Sequence, residues 1–188
     1  MKPNIPLRSA AILVALALPL FADTVPSAKS TTAQAAPLPG ISIESHFSPK
    51  EKIAPIVVEL IDGSKQSLDI AAFAFTHPDI SAAIIRAQKR GVIVRLVVDV
   101  REEHGNASLV PGLTKTGIDI WVRHKSGFQH NKYLVIDESI VTTGSYNFTV
   151  SADKRNAENL VVIRNAPQVV KAFTDDYENL LAAARLKK

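Results

Sequence analysis

The chain reads as an α/β protein whose β-sheet is mixed and flanked by helices. A strand, helix, strand succession over residues 68–98 implies parallel strands joined by a right-handed crossover. Two extended runs at 133–137 and 140–143, separated only by Glu138-Ser139, imply an antiparallel hairpin. A helix with one apolar stripe then closes the chain.

The first helix is expected to open at Ser48-Pro49-Lys50-Glu51, which has the shape of a capping box with proline at the first helical position. Ile53, Ile56, Val57, Leu60 and Ile61 recur at helical spacing, and Gly63 stops them. Residues 68–75 are short and apolar, with no charge after Asp69, as a strand buried on both faces requires. A helix follows over 78–90, basic in its last turn and ended by Gly91. Val92 to Val98 are mostly β-branched and read as the next strand. Residues 101–117 are mixed, with one short helical or irregular piece, and 118–123 resume extended structure. A strand at 160–164 and a helix at 167–185 complete the order. The helix carries Val169, Val170, Phe173, Tyr177, Leu180 and Leu181 on one side.

At the N-terminus, Lys2 and Arg8 precede an uncharged, Ala- and Leu-rich run from Ala10 to Ala22, the layout of a secretory signal peptide over residues 1–22. That run is shorter than the roughly 20 residues that cross a bilayer core, so a secreted or periplasmic protein without stable membrane insertion of its mature form is expected. Cleavage fits after Ala22 or, as late as residue 35, after Ala33-Gln34-Ala35. Residues 23–40 read as a flexible linker, rich in Pro, Ser, Thr and Ala, and 41–188 as one domain. There is no cysteine among the 188 residues, which excludes disulfides, cysteine-based metal sites and thiol nucleophiles. Lys2, Arg8 and Lys29 against Asp23 account for two of the formal +4 charges, so the domain is only mildly basic. Net charge therefore does not by itself argue for a nucleic-acid partner.

The chemistry concentrates in His130-Asn131-Lys132, Asp137, Gly144-Ser145-Tyr146-Asn147 and Asn156-Ala157-Glu158-Asn159. On a strand, His130 and Lys132 share a face while Asp137 points to the other. Asp137 is therefore assigned to tying down backbone amides at the Glu138-Ser139 turn. Gly144 lets the chain turn, so that Ser145 and Asn147 face the same site. Lys132 supplies a point charge for a phosphate oxygen, and Ser145 and Asn147 supply neutral donors. A histidine adds a group that attacks phosphorus when neutral and protonates a leaving oxygen when charged. Glu158 is the carboxylate best placed to orient a histidine. By composition, the His, Lys, Asp spacing alone arises in roughly one chain in a hundred. Adding Gly144, Ser145 and Asn147 lowers that to on the order of one in a million, so chance is not the competing explanation.

The pattern H-x-K-x4-D-x6-G-S-x-N resembles the HKD signature of the phospholipase D superfamily. GSYNFT from Gly144 and the later NAEN resemble in particular the small exported Nuc-type endonucleases of bacteria, as do AFAFTHPDI from Ala72 and KRGVIVRLVVD from Lys89. The resemblance implies an α/β/α sandwich, two HKD motifs about a twofold axis, a phosphohistidine intermediate, and no cofactor or divalent metal. It carries over His130, Lys132, Ser145, Asn147 and Glu158 as catalytic residues, with Asp137 and Gly144 structural. His46, His77, His104 and His124 have no lysine two residues on, so the second motif must come from a second copy in a homodimer.

The expected function is a secreted phosphodiesterase, a nonspecific endonuclease acting on DNA, with RNA as a further substrate. The alternatives are a hydrolase of phospholipid headgroups and an inactive nucleic-acid-binding HKD module. Arg123, Lys125, Lys154 and Arg155 are candidate contacts to flanking phosphates, weighed against simple solvation. Phe73, Phe75 and Trp121 are assigned to the core. The histidines are scattered, and no metal-ligand spacing is found.

Overall fold

The computed structural model describes residues 40–124 and 127–187. The expected signal peptide, both cleavage sites, the linker up to residue 39 and Lys125 lie outside the described residues. The strands are β1 (Ser42–Ser48), β2 (Ser67–Ala72), β3 (Ile93–Asp99), β4 (Asp119–Arg123), β5 (Lys132–Ile136), β6 (Ile140–Gly144), β7 (Glu158–Arg164) and β8 (Arg185–Lys187). They form one sheet in the order β1-β7-β6-β5-β2-β3-β4-β8. β2, β3 and β4 are parallel neighbours, and every other pairing is antiparallel. The sheet is thus mixed, as the strand, helix, strand unit and the hairpin require.

Helices cover both faces. On one side α1 (Ile53–Gly63), α2 (Pro78–Lys89), α3 (Val110–Thr114) and α4 (Val150–Lys154) contribute Val57, Ile61, Ile84, Leu113 and Ala152 to a core with Leu68, Ile70, Leu96, Leu134 and Val162 of the sheet. On the other, α5 (Pro167–Ala182) packs Val170 and Tyr177 against Ala71, Val97, Tyr133, Val135 and Val141, with Trp121 half-buried at the margin. Alternate residues of β5 therefore enter different cores, which is why the strand carries no charge from Tyr133 to Ile136.

Polar contacts fix α5 to the sheet. Asp69 of β2 is buried and accepts two bonds from Arg95 of β3, at 2.7 and 2.8 Å. Arg95 also reaches Glu178 at 2.9 Å, and the Asp69 bond above all raises its pKa further. Tyr133 donates its hydroxyl to Asp176 at 2.8 Å and meets Phe173 edge-on. Burial, with the Asp176 bond, pushes its phenol well above the ordinary value.

Several elements depart from expectation. Ser48 does not cap a helix: it ends β1, opposite Glu158, and its hydroxyl donates to the carbonyls of Ala152 and Asn156. With that side chain spent on α4, α1 begins only at Ile53, and its N-cap Lys52 makes no side-chain bond. β2 stops at Ala72, so Phe73 to Phe75 belong to the following loop. β1, α4 and β8 were not expected, and α5 ends at Ala182 because Arg185 to Lys187 pair with β4. The mixed segment holds a 3-10 turn at Val100–Glu103 and the short α3.

Asp137 is structural, but at a different place. Asp137 and Glu138 take left-handed φ values of 50° and 48° at the hairpin turn. The Asp137 carboxylate accepts instead from the backbone N–H groups of Lys65 (2.9 Å), Gln66 (2.7 Å) and Ser67 (3.0 Å), the entry to β2. Its own N–H donates back to Ser67 O at 3.0 Å. Burial pushes this carboxyl up, but the three N–H donors outweigh it and hold the pKa below the ordinary value.

Asp137→Ala leaves those donors without an acceptor and should lower stability by about 3 kcal/mol. Asp137→Asn, which tolerates the left-handed turn, should cost roughly half as much. The carboxylate's contribution is complete above the unfolded-state pKa of 3.8 and fades as pH falls through the lower folded value. Urea midpoints of wild type and Asp137→Asn should accordingly converge in acid; a gap that persisted there would contradict this role.

Candidate active site

Strand direction gathers the reactive residues at one end of the sheet. The parallel strands β2, β3 and β4 end there at Ala72, Asp99 and Arg123, and β5 begins there, with Lys132 opposite Ala72. β6 ends there at Gly144, opposite Leu160 of β7, whose first residue is Glu158. The carboxyl ends of parallel strands are the usual location of ligand sites in open α/β sheets.

His130, Lys132, Gly144, Ser145, Asn147 and Glu158 line one open cleft of about 500 Å³. The structure thus brings together all five residues assigned to catalysis from the sequence. Lys132 is buried, and its Nζ donates to His130 Nδ1 at 3.0 Å and to His130 O at 2.6 Å. An ammonium has no acceptor, so Nδ1 accepts in this contact and the ring hydrogen belongs on Nε2. Burial lowers the pKa of Lys132, opposed by the charge of Glu158.

Glu158 does not meet His130 of its own chain. Its carboxylate accepts from Ser145 Oγ at 2.6 Å and from Asn156 Nδ2 at 2.9 Å. Ser145 Oγ in turn accepts from Asn159 N at 3.1 Å. Among the described residues no carboxylate is bonded to the His130 ring, so the orienting role foreseen for Glu158 is not exercised within one chain. Asn147 Oδ1 is buried and has no hydrogen-bond partner, an unmet polar atom at the cleft wall.

A second group of residues, not identified from the sequence as part of the site, supports His130. Phe73 is not in the core: it stands half-buried with its ring 4.2 Å from that of His130 and 4.7 Å from Lys132 Nζ. Phe75, by contrast, is fully buried, as expected. Asp99 is buried and accepts from Arg101 Nε at 2.7 Å, Arg101 N at 3.1 Å and Gln129 N at 2.9 Å. Burial pushes its carboxyl up, yet the donors from Arg101 and Gln129 bring it below the ordinary value. Gln129 Oε1 then accepts from Asn131 N at 2.8 Å, so the backbone is gripped on both sides of His130. The available signal was positional, since Asp99 and Arg101 follow a strand that ends level with the motif.

The basic residues assigned to flanking phosphates are dispersed. Lys154 lines a separate depression with Lys52, His77 and Asp79. Arg155 is exposed at the end of α4 and bonds Ser151. Arg123 is half-buried and reaches Gly127 O at 3.4 Å. None of these three lines the His130 cleft.

A mixed sheet sandwiched by helices, with His-x-Lys at its strand ends and hydroxyl and amide donors opposite, is the fold and site of the HKD class. The family model for "Cardiolipin synthase, PLD-like domain" matches residues 57–181. The chain is 36% identical over 124 residues to a phospholipase D of Rickettsia prowazekii, covering 66% of this chain and 60% of that protein. It is 30% identical over 155 residues to the mitochondrial cardiolipin hydrolase of Xenopus laevis, covering 77% and 73% respectively. The crystal structure of the phospholipase D family member Nuc from Salmonella typhimurium superposes with a TM-score of 0.75 at 34% identity, over 79% of this chain and 99% of Nuc. NucT from Helicobacter pylori shares the fold, with a TM-score of 0.72 at 23% identity, over 78% and 99%. The chain belongs to the phospholipase D superfamily, in its Nuc-type branch. It spans about three fifths of the length of the Rickettsia prowazekii and Rickettsia bellii relatives, 60% and 62%.

Gly144 holds the cleft to the sheet. Its φ is +155°, and a Cβ there would lie 2.2 Å from Asn159 O, the carbonyl that accepts from Ser145 N and Tyr146 N. Gly144→Ala must push β6 from β7, and should cost about 2–3 kcal/mol while displacing Ser145. A variant with unchanged melting temperature and turnover would contradict this close approach.

Proposed function

We propose that this protein is an exported endonuclease that hydrolyses DNA, and RNA as a further substrate, through a covalent phosphohistidine formed in a homodimer. The observation that carries the reading is the convergence of His130, Lys132, Ser145, Asn147 and Glu158 on one open cleft that holds a single imidazole. In-line displacement at a phosphate diester calls for a nucleophile on one side of phosphorus and an acid on the other. One chain supplies one of these, and a twofold axis through the cleft supplies both.

His130 Nε2 of one subunit attacks phosphorus, and the bond from phosphorus to the leaving oxygen breaks. His130 of the partner subunit protonates that oxygen. Water then attacks the phosphohistidine, gives its proton to the same partner imidazole, and the phosphorus–nitrogen bond breaks to restore both rings. Lys132 carries the charge that steadies the nonbridging oxygens, helped by Ser145 and Asn147. Attack through Nε2 requires the hydrogen on Nδ1, the reverse of the lysine-bound arrangement in the single chain. Glu158 is the carboxylate that favours this tautomer in an imidazole brought within its reach.

The likeness to Nuc along 99% of its length supports the nuclease reading. The names of the Rickettsia and Xenopus relatives support a second one, hydrolysis of a phospholipid headgroup by the same residues. No described helix is long and apolar enough to cross a membrane.

Plasmid DNA and phosphatidylcholine vesicles, each incubated with the protein in EDTA, separate the readings. DNA should be nicked and the lipid left intact. His130→Ala should lower the nicking rate at least about a thousandfold while remaining folded and dimeric. Nicking by that variant at the wild-type rate would refute the mechanism.

Alkaline pH offers an independent check. If charged Lys132 holds the phosphate, activity falls as pH rises through its lowered pKa, so the basic limb of kcat/KM should lie below the 10.5 of an ordinary lysine. Lys132→Arg, charged throughout, should lower the plateau and move that limb upward. An unshifted limb would remove Lys132 from this role.

A further inference from the structure

Phe128 is 65% exposed, two residues before His130, whereas Phe75 and Phe148 are buried in the core. It is nevertheless held firmly. The Arg101 guanidinium contacts two rings, 4.3 Å from the centroid of Phe73 and 4.0 Å from that of Phe128, which are themselves 6.2 Å apart and tilted by 59°. Arg101 is anchored in turn by the buried carboxylate of Asp99, which also fixes the backbone of Gln129 beside Phe128. Phe73 also packs against His130, with ring centroids 4.2 Å apart and planes tilted by 60°. Phe128, Arg101, Phe73 and His130 thus form one chain of contacts that runs from the reactive imidazole to an aromatic ring in solvent.

Nothing in the fold requires that ring. It fills no core, and the guanidinium beneath it is already bonded by Asp99 and covered by Phe73. An ordered ring with a cation behind it and water in front is a stacking platform for a flat, polarisable group. Every nucleobase has such a face, and bases of an unpaired strand can present it, whereas those of a duplex are already stacked. A membrane would call for a continuous apolar patch, but apart from the half-buried Phe73 the neighbours of Phe128 are Gly127, the buried Gln129 and the charged Arg101.

We propose that Phe128, clamped by Arg101, stacks an unpaired nucleobase next to the scissile phosphate, so that the preferred substrate is single-stranded nucleic acid. This rests on the nuclease reading and adds to it the part of the substrate recognised beyond the phosphate. It also gives Arg101 a positioning role, since the guanidinium sets the height of the platform over the cleft.

The test compares kcat/KM of the full chain on oligothymidylate and on an abasic oligomer of equal length. The ratio of the two rates measures recognition of the base. Phe128→Ala should lower that ratio about tenfold or more, mostly through KM, and Phe128→Trp should restore it. Arg101→Gln should lower it in part. An equal loss on both oligomers, or a weakened dimer, would mean that Phe128 serves His130 or the subunit contact and would overturn the proposal. An unchanged ratio accompanied by weaker binding to phosphatidylglycerol vesicles would overturn it in favour of a lipid surface. A wild-type protein inert on both oligomers would instead defeat the nuclease reading itself, and this inference with it.

Discussion

The pairing of β5 against β2 governs both ends of this molecule. At one end, Asp137 closes the hairpin and holds the three N–H groups that lead into β2, so that Leu68 faces Ile136. At the other, the same register sets Lys132 against Ala72 and leaves Phe73 to step off the strand beside His130. A slip of one residue would exchange the two faces of β5, sending Tyr133 and Val135 toward the core that receives Leu134 and Ile136. It would also carry Lys132 away from the imidazole. The D of the HKD signature therefore acts on the H and the K through the strand, and without touching either.

The cleft end is built to hold charge in a restricted setting. Lys132 is removed from water beneath Phe73, and Asp99 is removed from water among donors supplied by Arg101 and Gln129. Each burial has a desolvation cost that the neighbouring bonds must offset. The return is orientation, because groups held this way need little rearrangement when charge develops beside them. Asn147 Oδ1 and the unengaged side of the His130 ring are the parts of this arrangement left without partners inside one chain.

The sequence made the sheet and the reactive residues legible because both are written locally. Period and breakers place β2, α2 and β3, and the H-x-K and G-S-x-N spacings on adjoining strands bring their side chains to one side of the hairpin. Less local features were harder to read. Ser48 has the local look of a helix cap, yet a hydroxyl more than a hundred residues from its acceptors in and just after α4 serves a tertiary purpose instead. Asp137 likewise chooses amides some seventy residues away over those in its own turn. β1 and β8 are edge strands with little periodic signal, and they are defined by the strands they join. Phe73 illustrates the same limit, since a phenylalanine after a buried strand has the composition of core, and only the packing of Arg101 and His130 against it reveals otherwise.

The attachment of α5 reaches further than stability. Its Asp176 and Phe173 seize Tyr133, the residue next to Lys132 on the strand, although no side chain of that helix lines the cleft shared by Ser145 and Asn147. Mutational drift on this helical face is for that reason not neutral for the chemistry. A lineage that exchanged Phe173 or Asp176 would have to reseat the tyrosine, and would inherit a lysine whose aim had been altered from behind.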